Sequence, residues 1–165
     1  MIVIAPFYFQ KRRILTIRLN QYVKKRTGLG LGASGSLQNM LSRSLGAKSF
    51  SHFWRYWNPI WSYYLSRYVM RPLSKWLPQW LTIMITFAVS GALHDLAVTL
   101  LKWHAIFFFT PWFAVMGAVV LVTSKLNLEY ANFPWTIRAL FNVAIIVACY
   151  LLTTLLDEVF VQAYS

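Results

Sequence analysis

Three apolar runs, at roughly 81–101, 103–124 and 137–156, dominate the second half of this 165-residue chain. Each is close to the 20 or so residues that a helix needs to cross the core of a bilayer. Apolar residues make up 58% of the sequence and charged residues 12%, against about 25% charged in an ordinary soluble domain. A chain this small keeps too much surface exposed to hide that excess from water. The composition argues against a water-soluble enzyme and against a disordered chain. It predicts an all-α integral membrane protein of one domain, with about three transmembrane helices. Lys102 is nearly all that separates the first two runs, so a tight hairpin or a sharp kink is expected there. Pro111 is expected to bend the second run, and the link 125–136 is polar enough to leave the membrane.

Charge is unevenly spread. The formal net charge is +12, yet thirteen of the sixteen Lys and Arg lie at or before Lys75, and no acid precedes Asp95. Positive-inside bias puts that basic half in the cytoplasm, and three crossings then put Asp157 and Glu158 on the other side. This is the pattern of a multi-pass protein of a bacterial inner membrane or an endoplasmic-reticulum-type membrane. Met1–Phe9 is apolar but precedes its charges, the reverse of a secretory signal, and reads as an interfacial stub. Between 11 and 26, Lys11, Arg12, Arg13, Arg18, Lys24, Lys25 and Arg26 alternate with Ile14, Leu15, Ile17, Leu19 and Tyr22. Such a segment rests on anionic membrane lipids; its apolar flanks argue against nucleic acid as the partner.

Residues 27–47 are rich in Gly and Ser and read as a loop. Their GxGxxG spacing at Gly30, Gly32 and Gly35 lacks the strand–helix setting of a nucleotide site and is a coincidence. The chain therefore divides into a basic interfacial segment with its Gly/Ser loop (1–48), an aromatic region (49–80) and three spans (81–156). In the aromatic region Phe50, Phe53, Trp54, Trp57, Trp61, Tyr64 and Tyr68 keep helical rhythm. Pro59 divides the stripe, and Asn58-Pro59 reads as an N-cap followed by a helix start. Flanked by Arg55, Arg67 and Arg71, the stripe marks a helix at the membrane surface or dipping into it.

His94 and Asp95 lie well inside the first apolar run, where an ionisable group costs about 2.5–3.5 kcal/mol on insertion scales and is a functional suspect. Ser90 precedes His94 by one turn on the same face, and Gly91 permits close approach. A structural histidine bonded across helices is the competing reading. Asp95 points about 100° away around the helix, leaving Arg138, Lys102 or a proton as its partner. His52 suits a solvated or capping role, and His104 sits beside Trp103 at a helix end. The three histidines have no close ligand spacing, so no metal site is expected, and the lone Cys149 excludes an intramolecular disulfide.

Three stretches carry a resemblance. Ser49-Phe50-Ser51-His52-Phe53-Trp54-Arg55-Tyr56-Trp57-Asn58 resembles the Phe/Trp-rich W-N motif of the membrane-bound O-acyltransferase (MBOAT) family. Tyr68-Val69-Met70-Arg71-Pro72-Leu73 is similar to the short proline-leucine element that follows it there. Ser90-Gly91-Ala92-Leu93-His94-Asp95-Leu96 resembles the helix bearing that family's proposed catalytic histidine. The nearest flavour is the wax-synthase-like and sterol or diacylglycerol acyltransferase-like branch, and the likeness runs from about Ser49 to Leu101. Asp95 stands where the family usually has Glu, and family members usually have eight or more spans.

The resemblance implies transfer of an acyl group from a thioester, typically acyl-CoA as co-substrate, to a hydroxyl acceptor. His94 would then be the general base, with Asn58 binding the acyl carbonyl or orienting the acceptor. Trp54, Trp57, Ser90, Arg55 and Arg71 would line the substrate, the arginines with Arg67 and Lys75 drawing in CoA phosphates. Anchoring explains those cations equally well, and capping explains Asn58. No bound cofactor is expected. The short chain leaves a homo-oligomer or a partner membrane subunit to complete the cavity. The alternative is a non-catalytic fragment or accessory subunit with a structural His94.

Overall fold

The computed structural model describes residues 17–164. The stub Met1–Phe9 and the cations Lys11, Arg12 and Arg13 lie outside the described residues. Helix α1 (Leu19–Thr27) takes up the end of the basic segment and stops at Gly28, whose φ of 88° closes the last turn. Helix α2 (Ser36–Leu45) corrects the reading of 27–47 as a loop. Its Leu37, Met40, Leu41 and Leu45 recur at helical spacing, but the serines between them weigh on composition and conceal the period. Gly35 precedes α2 at φ 78°, so the glycines end at the helix that follows them.

The aromatic stripe forms two helices, α3 (Phe50–Tyr56) and α4 (Pro59–Leu65), divided at Asn58-Pro59 as the sequence predicts. Ser49 caps α3 by accepting from the His52 amide. A π-helical turn (Ser66–Met70) and the short α5 (Arg71–Leu73) lead into α6 (Gln79–Lys102). This helix ends where Trp103 adopts a left-handed conformation at φ 52°.

The second apolar run is not one helix. Residues 103–108 form the turn, and α7 (Phe109–Lys125) has only seventeen residues. Pro111 lies in its first turn, where a missing N–H costs nothing, so the expected bend is absent. The hairpin expected at Lys102 is present, but its turn takes up 103–108, a length concealed by apolar residues: Trp103 and Phe107 are 92% and 76% exposed, as befits a membrane interface. Helix α8 (Trp135–Tyr164) outruns the third apolar run at both ends. Among the described residues α6 and α8 are long and apolar enough to cross a membrane, and α7 is shorter. The three equal spans read from hydropathy thus become two long helices and a short one between them.

Helix α3 wedges between α7 and α8. Phe50 and Phe53 are buried against Met116 and Val120 of α7 and Cys149 of α8. One polar side chain ties this wedge to α8. Asn142 is fully buried; its Nδ2 donates to the carbonyls of Leu45 (2.8 Å), Ala47 (3.1 Å) and Arg138 (3.0 Å), and its Oδ1 accepts from Tyr130 Oη. Losing such a partner leaves buried groups unmet at about 1–3 kcal/mol each. Trp135 Nε1 adds a bond to Ser42 O at 2.9 Å, Lys48 meets Glu129 at 2.7 Å, and Gly46 leaves the Trp135 indole room to seat.

Candidate active site

Asn58 sits at φ 36° and ψ 72°, a left-handed conformation that asparagine adopts more readily than most residues. Its Oδ1 accepts from the Trp61 amide at 3.2 Å, capping α4. That assignment leaves the two Nδ2 hydrogens as donors. Trp61 continues the chain of contacts: its indole Nε1 donates to Ser90 Oγ at 2.8 Å, joining α4 to α6.

Ser90 is buried, and its carbonyl oxygen lies 2.7 Å from His94 Nδ1. A carbonyl only accepts, so the proton belongs on Nδ1 and Nε2 keeps a lone pair. Three rings hold the half-buried imidazole: Trp61 edge-on at 5.6 Å, Phe113 at 5.0 Å and Phe109 at 5.9 Å between centroids. Asn58, Trp61, Ser90 and His94 therefore form one connected set.

All of them line a cavity of about 270 Å³. On α6 its wall runs through Gln79, Thr82, Ile83, Thr86, Phe87, Ser90 and His94. Gln79 and His94 are fifteen residues apart, so the wall extends about 22 Å along the helix. Trp54, Trp57, Arg55 and Arg71 line the same space as Asn58, Ser90 and His94. Trp54 packs on Phe87 at 5.1 Å and Phe113 at 5.9 Å, while Trp57 stacks on Phe53 at 5.3 Å. Arg67 and Lys75 do not reach it; Arg67 donates to Tyr63 Oη at 2.8 Å.

Arg26 is a lining residue that sequence reasoning missed. The sequence places it in a lipid-facing run, yet it is 7% exposed and donates to Tyr22 Oη at 3.3 Å. Burial, then the neighbouring Arg55, pulls its pKa below the usual guanidinium value. Burial, then Arg67, does the same to Arg71. Among the described residues the lining includes Arg26, Arg55 and Arg71 and no Asp or Glu, so that part of the wall is cationic. His52 stands outside it, with Nδ1 2.9 Å from the Oγ of Ser49, the residue that caps α3. Burial, then Lys48 and Arg55, lowers the His52 pKa.

Asp95 pairs with neither Arg138 nor Lys102. It accepts from the backbone amides of Phe108, Phe109 and Thr110 and from Thr110 Oγ1, at 2.6 to 2.9 Å. The carboxylate caps the start of α7, a partner reached only through the fold of the turn. Trp61 and Phe113 were likewise missed as neighbours of His94. Trp61 belonged to the aromatic stripe, but spacing alone gave no sign that it would reach Ser90.

The motifs that carry the resemblance meet at this cavity, on a helical scaffold with two helices long and apolar enough to cross a membrane. The family described as MBOAT, membrane-bound O-acyltransferase family, matches residues 18–156, and the chain belongs to it. The match extends well beyond the Ser49–Leu101 stretch that carried the resemblance. No curated protein and no solved structure gives a match.

Proposed function

We propose that the chain transfers an acyl group from a thioester, acyl-CoA, to a hydroxyl acceptor, with His94 as general base. Family membership supports membrane-bound O-acyl transfer as the activity class. One observation supports the finer reading: His94 and Asn58 line a single cavity, each with one polar atom already engaged elsewhere. Nδ1 of His94 is committed to the Ser90 carbonyl, which leaves Nε2 to take the proton of the acceptor hydroxyl. Oδ1 of Asn58 is committed to its cap, which leaves Nδ2 to donate to the acyl carbonyl as negative charge develops there. The acceptor oxygen forms the new ester bond, the carbon–sulfur bond breaks, and the thiol leaves with the proton that His94 returns.

Arg26, Arg55 and Arg71 suit the phosphates of the donor, because guanidinium groups recognise phosphate in bidentate fashion. Apolar lining from Leu65, Met70, Leu77 and Ile83 suits the acyl chain. The outward face of α8, with Leu140, Leu151, Leu155 and Val159 exposed, is left for lipid, a second copy or a partner membrane subunit.

Acyl transfer from labelled acyl-CoA to a panel of alcohols, sterols, diacylglycerol and sugars tests the reading. His94→Ala is expected to stay folded and to lose about 10²–10⁴-fold in turnover. His94→Gln, which keeps some hydrogen bonding, should be nearly as damaged. Wild-type rates in either variant would overturn the assignment of His94, and loss of the folded protein would mark a structural histidine.

A further inference from the structure

We propose that Asp95 is a positioning residue, whose carboxylate fastens the first turn of α7 so that Phe109 and Phe113 hold the His94 imidazole in its working orientation. The proposal rests on the reading of His94 as general base. Adjacency to the histidine suggests a charge partner, but the geometry points elsewhere. Asp95 is 5% exposed, and its four hydrogen bonds all come from α7 and the residue before it. Oδ1 accepts from Phe108 N at 2.9 Å and Phe109 N at 2.8 Å; Oδ2 accepts from Thr110 N at 2.8 Å and Thr110 Oγ1 at 2.6 Å. The first amides of a helix lack intrahelical partners, and Phe108 offers no side-chain cap. A carboxylate from the neighbouring helix does that work instead.

Gly91 makes the contact possible. It lies one turn before Asp95, and a Cβ there would stand 2.6 Å from Thr110 Cα, so the backbones of α6 and α7 meet at this point. Directly beyond it, Phe109 and Phe113 occupy successive turns of α7 on the face towards His94. A shift at the start of α7 therefore moves both rings together. The Ser90 contact fixes one nitrogen of the imidazole, and the rings restrict its rotation about that contact.

Three variants separate position from charge. Asp95→Asn keeps Oδ1 but replaces Oδ2 with an amide that cannot accept from Thr110 N. Gly91→Ala keeps the carboxylate and pushes the start of α7 away. Thr110→Ala removes one donor only, and serves as the mild variant where Gly91→Ala does not fold. The experiment reads kcat, KM for acyl-CoA, and the imidazole nitrogen NMR shifts of His94 in bicelles as pH is varied. Asp95→Asn and Gly91→Ala should each lower kcat by about ten- to a hundredfold with KM little changed, the loss expected of a misplaced group. Both should replace the Nδ1–H signature with a mixture. Thr110→Ala should show the same changes in smaller degree.

A shifted midpoint with an intact Nδ1–H signature in Asp95→Asn would mean that Asp95 acts through its charge, and would overturn the proposal. So would unchanged kcat and an unchanged tautomer in the three variants. The NMR reading needs no substrate. A wild type without His94-dependent transfer would therefore end the acyl-transfer reading separately, leaving the imidazole's dependence on Asp95 measurable.

Discussion

At Asn58 the backbone conformation, the helix cap and the proposed carbonyl donor meet in one side chain, and substitutions can take them apart. Asn58→Asp keeps an oxygen for the Trp61 amide and a residue that tolerates the left-handed region. It removes the Nδ2 donor. Its melting temperature in detergent should stay near that of the wild type while turnover falls about 10²–10³-fold, the usual worth of one such donor. Asn58→Ala should lose comparable activity and about 1 kcal/mol of stability as well, through loss of the cap. His52 offers a pH test. Its pKa is lowered from 6.5 in the folded protein, so the unfolded chain takes up a proton first as pH falls. The stabilisation it lends is complete above pH 6.5 and is lost as pH falls through the lowered folded-state value. Thermal melts between pH 7.5 and 5 should decline, and His52→Gln should flatten that decline.

Among the elements, the sequence is most legible where a side chain acts on its own neighbourhood. The Asn58-Pro59 boundary was readable because N-cap and first-turn proline preferences are local. Ser90 and His94 were readable as neighbours on one face because they lie one turn apart on a helix, though the bond between them runs to the Ser90 backbone carbonyl. The hairpin at Lys102 was readable but the extent of its turn, 103–108, was not, because hydropathy sums apolarity and is blind to φ, and Trp103 is apolar at a left-handed position. Helix α2 was hidden by the opposite error, polar composition outweighing a helical period. The length of α7 affects topology: seventeen residues make about 25 Å of helix, short of the ~30 Å hydrocarbon core. Exposed aromatic residues at the 103–108 turn allow the hairpin tip to sit in the far interface. Reporters inserted after Trp103, Lys125 and Ser165 should read outside, cytoplasmic and outside. Equal sidedness at the first two would mean that α7 does not cross.

For the molecule as a whole, the cavity wall draws on α1, the α3–α4 region, the segment around α5, and both helices of the α6–α7 hairpin. Motif spacing identified its central residues, since Asn58, Ser90 and His94 fall within family-like stretches. It could not find Arg26, whose place on the wall depends on how α1 folds back onto α4. Nor could it find the role of Asp95, which depends on where the next helix begins. The same long-range dependence bears on the order of events during synthesis. Asn142 supplies the donors for the Leu45 and Ala47 carbonyls, 97 and 95 residues earlier in the chain. These carbonyls lead directly into the segment that carries Asn58. While the ribosome is still making α7, every residue assigned to the chemistry has already been translated, but the corner that presents Asn58 has yet to meet its anchor. Activity should therefore mature only once α8 has been inserted beside its neighbours, so that the nascent chain carries the residues of its reaction well before it is able to use them.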